Sequence, residues 1–239
     1  LKTPEVILKN YEAPKTLRIS AFEDYLKCPF LYYGRHILKT EEYEELSLDP
    51  SRKYRGILIH KVLERVLKTY LEGTDPNVEE IFYSCLEESK PQGMFRDGSL
   101  KNKFAEGSLK IILNWWEYEK AQRIKFPEMK PWKLEEDLSF QILDDLELKG
   151  RADRIDKAGN LSVVIDYKTG SASFTGKDLR LGYGAQLLMY AAAIKNKYEL
   201  DPGATGWGLK HENSRTDSFD AVTLKRPLQN LTDLGRIFR

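Results

Sequence analysis

The sequence predicts a mixed α/β (α+β) fold, helical in its first half and sheet-bearing in its second, on three observations. Apolar residues recur at helical spacing from about residue 17 to residue 126. From Trp132 the pattern changes to period two, through WKLEEDLSFQI, a turn at Asp144-Asp145 and a hairpin spanning Leu148 to Gly170. Helical spacing then returns between Lys177 and Tyr198, before two strand-like runs, ATGWGLK and SFDAVTL, and a last helical segment reaching Arg239. A chain of 239 residues can bury a sizeable core. The most economical division is an extended arm over residues 1–16 and a single domain over 17–239, helical to about 126 and sheet-bearing from about 131.

Composition narrows the classes. The net charge is +1 and the pI about 7.8, so there is no global basic signature, and a nucleic-acid partner would have to be met by local positive potential. Cys28 and Cys85 show no disulfide or zinc spacing and suit a reducing cytoplasm. No apolar run approaches the ~20 residues of a membrane span, so the expectation is a cytoplasmic protein with no membrane partner. The opening Leu1 and the Pro-dotted arm (Pro4, Pro14) fit a piece excised from a larger polypeptide.

In LRISAFEDYLKCPF, Ser20 as N-cap and Glu23 three residues later read as a capping box. Pro29 should end or kink that helix, and the aromatic residues of FLYYGRHIL are expected to pack inward. Thr40 to Ser51 reads as an acidic loop. A helix over Gly56–Leu71 carries Ile59, Leu63, Val66, Leu67 and Tyr70 on one face and Lys61, Arg65 and Lys68 on the other, with His60 and Glu64 on the border. From this helix alone, a surface His60–Glu64 hydrogen bond is the plainer reading than a pair of ligands. Asn77–Ser89 and Ser99–Lys125 read as helices joined by the turn-rich PQGMFRDG, the second interrupted at Gly107. Trp115 and Trp116 point about 100° apart on a helix, so at least one is expected in the core rather than stacked on a base. Gln186 and Tyr190, at i and i+4, either satisfy one another locally or reach toward a phosphate or lysine.

The hairpin LKGRADRIDKAGNLSVVIDYKTG puts charges where a core should be. Asp166 and Lys168, two residues apart in an apolar strand, point to one face. With Gly159-Asn160 as a two-residue loop, Ala158 pairs with Leu161 and Asp153 falls opposite Asp166. With Ala158-Gly159 as the loop, Asp153 falls opposite Val164, still on the face of Asp166, whereas a three-residue loop would flip one strand. Opposed carboxylates about 5 Å apart repel unless a cation lies between them or one takes a proton. Two readings follow: a site for a hard divalent cation, Mg2+ or Mn2+, with Lys168 beside it, or an ion pair between Lys168 and one aspartate.

Taken in order, ISAFEDYLKCPFLYYGRHIL, GILIHKVLE, GRADRID, VIDYKTG and QLLMYA resemble the RecB-like (AddB-like) branch of the PD-(D/E)XK nuclease superfamily over most of the chain. The resemblance implies a restriction-endonuclease-like mixed β-sheet flanked by helices. It implies that His60, Asp153 and Asp166, with the Tyr167 carbonyl, hold the metal, that Lys168 is the catalytic lysine, and that Gln186 and Tyr190 support it near the scissile phosphate. Glu64 would play a lesser role at the edge of the site. The implied activity is that of a magnesium-dependent DNA nuclease, an exonuclease in repair or recombination, as part of or beside a helicase. The rivals are a catalytically inert DNA-binding or helicase-docking module, whose expected mark is erosion of the charged quartet, and a hydrolase of smaller phosphoesters or RNA. One departure stands out. In some relatives the cysteine of the Cys-Pro motif joins three later cysteines around an iron-sulfur cluster; here no cysteine follows Gln186, so no cluster is expected, and Cys28 is expected to be a small buried hydrophobe.

Overall fold

A computed structural model describes residues 14–40, 52–89, 98–143, 146–169 and 184–209. The expected arm before residue 14, most of the acidic stretch, the PQGMFRD turn, the Asp144-Asp145 turn, the SFDAVTL strand and the C-terminal helix lie outside these residues. The described elements are β1 (Thr16–Arg18), α1 (Ile19–Lys27), α2 (Pro29–Tyr32), a π turn (Tyr33–Ile37), α3 (Arg52–Leu71), α4 (Val78–Glu88), α5 (Gly98–Lys125), β2 (Lys130–Leu143), β3 (Leu146–Ala158), β4 (Leu161–Lys168), α6 (Ala185–Tyr198) and β5 (Asp201–Gly208).

The strands form one mixed sheet. β3 is its axis: β2 runs antiparallel along it from Lys130↔Lys157 to Leu143↔Leu146 and so occupies one edge throughout. The other edge is shared. β1 pairs parallel with Glu147–Lys149, and β4 pairs antiparallel with Arg154–Ala158, leaving Gly150–Asp153 between them. β4 continues the sheet to β5 through a parallel pairing from Leu161↔Asp201 to Lys168↔Gly208, with α6 as the crossover between them.

Helices cover both faces, as a sheet buried on both sides requires. α1 and α6 pack on one face against Leu148, Ala152, Ile155, Val164 and Ala204. α3, α4 and α5 pack on the other against Val163, Ile165 and Tyr167. The run Val163-Val164-Ile165 therefore feeds both cores by simple alternation. Leu58, Ile59, Val62, Leu63, Val66 and Leu67 of α3 are all essentially inaccessible, and each contributes about 1.5–3 kcal/mol of burial before chain entropy is counted.

Several expectations are corrected. α1 starts at Ile19 with Arg18 at the N-cap and no side-chain cap, so Ser20 does not form the capping box. Glu23 instead pairs with Lys27 and accepts the Gly184 N–H across the fold, at 2.9 Å. Pro29 does break the helix, sitting in the first turn of α2 where its missing N–H costs nothing. Of the aromatic run beyond it, Tyr32 is buried but Phe30 is 79% exposed, and Leu38 is exposed too. Cys28 is exposed rather than buried, because it lies in extended backbone at the junction of two helices. Tyr70 leaves the apolar face of α3 and stacks under the Arg123 guanidinium, 3.6 Å from its ring centre. α5 runs unbroken through Gly107, since packing outweighs a single glycine's penalty. Both tryptophans of α5 are core residues, as packing favours.

Candidate metal centre

The site lies where β4 parts from β3. Gly159, at φ +57, supplies the left-handed residue of a two-residue loop, and Ala158 pairs with Leu161. That register brings Asp153 level with Asp166, one step beyond the last paired residues, Arg154↔Ile165. The two carboxylates then diverge. Asp153 Oδ2 accepts the Tyr167 N–H at 2.8 Å, while its Oδ1 lies 3.3 Å from His60 Nδ1. Asp166, nearly buried, takes Lys168 Nζ at 2.7 Å.

His60 reaches in from α3. Its Nε2 lies 3.0 Å from the Tyr167 carbonyl oxygen, and its ring meets Tyr167 edge-on. Glu64, one turn on, does not bond it; Glu64 accepts from Lys68 and faces the same cleft of about 450 Å3. Burial works against a His60 cation, but the bond to Asp153, the charges of Asp153 and Asp166 and the Tyr167 carbonyl together hold its pKa above the ordinary value. Burial likewise opposes the Lys168 cation, and Asp166 and Asp153 more than restore it, so Lys168 is charged at neutral pH. Asp166 is pushed upward, chiefly by burial, with Asp153 adding repulsion against the relief from Lys168.

Glu135 completes the set, and sequence reasoning missed it. It sits on β2 between Leu134↔Arg154 and Glu136↔Ala152, hence across from Asp153. Its φ of +49 is left-handed without being glycine, a strain of order 1–2 kcal/mol of the kind found at functional sites. Burial, then the Asp153 and Glu64 charges, raise its pKa. His60, Glu135 and Asp153 each offer one ligand atom, all within 4.8 Å of one another. Two carboxylates and an imidazole, with a peptide carbonyl adjacent, suit a hard divalent cation. Asp166 is not in that triad; it stands beside it on Lys168. The missing signal was register: Glu135 aligns with Asp153 only through the β2–β3 pairing, and in LEED it looks like one of several solvent-facing acids.

Gln186 and Tyr190 come from α6, on the sheet face opposite α3, the helix that supplies His60. Gln186 Nε2 donates to Tyr190 Oη at 3.0 Å, and Tyr190 Oη donates to the Arg151 carbonyl at 2.7 Å, within the stretch of β3 lying between β1 and β4. Burial pushes the Tyr190 hydroxyl up to about 12, so it remains a donor. The pair satisfies itself locally while lining a cleft of about 650 Å3 with Arg18, Lys149, Arg151 and Lys197.

Residues 16–238 match the family model of the PD-(D/E)XK nuclease superfamily. The chain is 31% identical over 226 residues to an ATP-dependent helicase/deoxyribonuclease subunit of Clostridium acetobutylicum, covering 82% of this chain and 19% of that protein. It is 24% identical over 213 residues to the exonuclease/helicase subunit RexB of Lactococcus lactis, covering 86% of this chain and 19% of that one. It therefore spans about a fifth of the length of these relatives. A Eubacterium rectale protein of proposed exonuclease function shares the fold at a TM-score of 0.52 and 13% identity, over 94% of this chain and 80% of that one. No described helix is long and apolar enough to cross a membrane. With the match running through both the helical and the sheet-bearing parts, the chain belongs to the PD-(D/E)XK nuclease superfamily.

Proposed function

We propose that this chain is the nuclease domain of a magnesium-dependent deoxyribonuclease, acting exonucleolytically in the cytoplasm, in repair or recombination, beside a helicase. The observation that carries the reading is that His60, Glu135 and Asp153 bring ligand atoms within 4.8 Å of one another, with His60 also 3.0 Å from the Tyr167 carbonyl, next to the Lys168–Asp166 pair. Membership of a nuclease superfamily supports it, and the names of the bacterial relatives point to DNA and a helicase partner.

Asp153, Glu135, His60 and the Tyr167 carbonyl would hold the ion, with Asp166 joining when Lys168 lets go. Mg2+ held there would supply Lewis acidity toward a phosphodiester. The protein's own residues do the rest. Lys168 is a cation, so it acts as an electrostatic partner of the developing phosphate charge rather than as a base. Its present partner, Asp166, balances that charge until substrate arrives. Tyr190 anchors α6 to β3 and thereby fixes Gln186 in the lining of the cleft it shares with Arg18, Lys149 and Arg151, where a backbone phosphate can be met.

The test is cleavage of end-labelled linear DNA, circular DNA and RNA with magnesium and with chelator. Wild type should cut linear DNA only with metal, and Asp166→Ala, Asp153→Ala and Lys168→Ala should each lose about a hundredfold or more while remaining folded. Wild-type-like cutting by Lys168→Ala contradicts the assigned role. Metal-independent DNA binding without cleavage by the wild type identifies an inert module instead.

A further inference from the structure

Behind the metal centre, on the α5 face, lies a buried charge cluster that the chemistry above does not use. Arg154 is 3% exposed, Asp156 4%, Glu119 1% and Tyr167 3%. A guanidinium has five N–H donors, and here every one is committed. Nε and Nη2 donate to the two oxygens of Asp156 at 2.5 and 2.6 Å. Nη1 and Nη2 donate to the two oxygens of Glu119 at 2.8 Å each. The fifth, from Nη1, goes to the Tyr167 hydroxyl at 3.0 Å. Arg123 adds a further donor to Glu119 at 2.9 Å.

A buried ion pair contributes little to stability by itself, because apolar side chains of the same volume would serve as well or better. What a fully committed planar fork supplies is fixed geometry. The fork joins three elements: Glu119 is on α5, Arg154 and Asp156 on β3, and Tyr167 on β4. Strand alternation makes this consequential. Arg154 follows Asp153, and Tyr167 lies between Asp166 and Lys168, so each of these three residues of the centre is one peptide away from a residue bolted to the far face. Tyr167 itself works on both sides. Its ring is held by Arg154 and lies edge-on to Trp115, while its N–H binds Asp153 and its carbonyl meets His60.

We propose that Arg154, clamped between Glu119 and Asp156, is a positioning residue that holds the Tyr167 main chain so that its N–H and carbonyl set Asp153 and His60 for a divalent cation. The clamp takes the place of β-ladder bonds at the point where β4 has left β3 and pairing no longer holds the two strands in step. It rests on the metal-centre reading, and the experiment separates the two.

Mn2+ is titrated into the purified protein and free Mn2+ is followed by electron paramagnetic resonance, with no DNA present. Tyr167→Phe removes only the hydroxyl and should raise the Mn2+ dissociation constant about tenfold, the usual effect of losing an outer partner of a ligand. Arg154→Lys keeps the charge but not the fork and should not restore affinity. Phe82→Leu, a truncation of a buried side chain on α4 that is not among the residues of the centre or the clamp, should lower the melting temperature and leave Mn2+ affinity unchanged. Should Tyr167→Phe fail to fold, Glu119→Gln reads the same clamp from its other end. Wild-type affinity in Tyr167→Phe, or an equal loss in Phe82→Leu, overturns the clamp while leaving the metal centre standing. Absence of any wild-type Mn2+ binding that Asp153→Ala removes overturns the metal centre itself.

Discussion

Replacing Gly150 by alanine tests how tightly α6 is pressed onto the part of β3 that lies between β1 and β4. A Cβ at that position would lie 2.9 Å from Tyr190 Cε1, 3.0 Å from Tyr190 Oη and 3.1 Å from Ile19 Cδ1. The tyrosine cannot swing away cheaply, because its ring is buried and its hydroxyl is tied to Gln186 and the Arg151 carbonyl. Overpacking of this kind costs about 1–3 kcal/mol, and alanine's smaller loss of chain entropy in a strand offsets about 0.5–1 kcal/mol of that. The net loss centres on about 1 kcal/mol, a drop of roughly 2–4 °C in Tm for a chain of this size. Thermal unfolding followed by circular dichroism reads it. In a Tyr190→Leu background, which removes both Cε1 and Oη and leaves only the Ile19 contact, the same Gly150→Ala change should cost clearly less, a coupling a double-mutant cycle isolates. An unchanged Tm for Gly150→Ala in the wild-type background, or an equal loss in both backgrounds, refutes the close approach of Tyr190.

Three further outcomes are expected. Glu135→Gln should weaken Mg2+-supported DNA cleavage at least tenfold, with the loss partly recovered at high metal concentration, as befits a missing ligand; full activity at low metal removes Glu135 from the centre. Gly159→Ala places a Cβ on a φ of +57 and should cost about 1 kcal/mol in urea unfolding, with activity intact if the hairpin keeps its register. Glu119 is buried at a cost, but the charges and hydrogen bonds of Arg154 and Arg123 outweigh that cost and hold its pKa below the ordinary carboxylate value. The contribution of an acid so depressed is complete above its unfolded pKa and is lost as pH falls through the folded one. The stability gap between wild type and Glu119→Gln in urea titrations should accordingly be widest near neutrality and narrow as pH falls through and below the ordinary carboxylate range; a pH-independent gap contradicts the assignment.

Much of this is legible in the sequence, for physical reasons that differ by element. The loop at Gly159-Asn160 can be read because two-residue hairpins demand a left-handed residue, and with the loop fixed the period of two places Asp153 level with Asp166. The α3 face is legible in Ile59, Leu63, Val66 and Leu67, which recur at helical spacing, while Leu58 and Val62 widen the buried face beyond it. His60 is visible only as a border residue: nothing in the helix itself says that the neighbour across the gap is Asp153 rather than Glu64. Glu135 stays hidden because its alignment depends on a long β2–β3 register with irregular steps at Pro131/Lys133 and Gln141/Leu143, which no local pattern encodes. The capping box at Ser20 fails for a related reason. Glu23 satisfies the motif's spacing, but the Gly184 N–H offers it a tertiary partner that the local sequence cannot announce. Cys28 and Phe30 depart from expectation because apolar character does not by itself mean burial, and the break at Pro29 turns both outward.

The central claim is that His60, Glu135, Asp153 and the Tyr167 carbonyl together hold a divalent cation. Anomalous diffraction from crystals soaked in Mn2+ examines it directly. A peak at coordination distance, about 2.1–2.3 Å, from those four groups, with Asp166 drawn in and Lys168 displaced from it, is the predicted result. A peak elsewhere, or none at saturating Mn2+ with the Lys168–Asp166 pair intact, would contradict it.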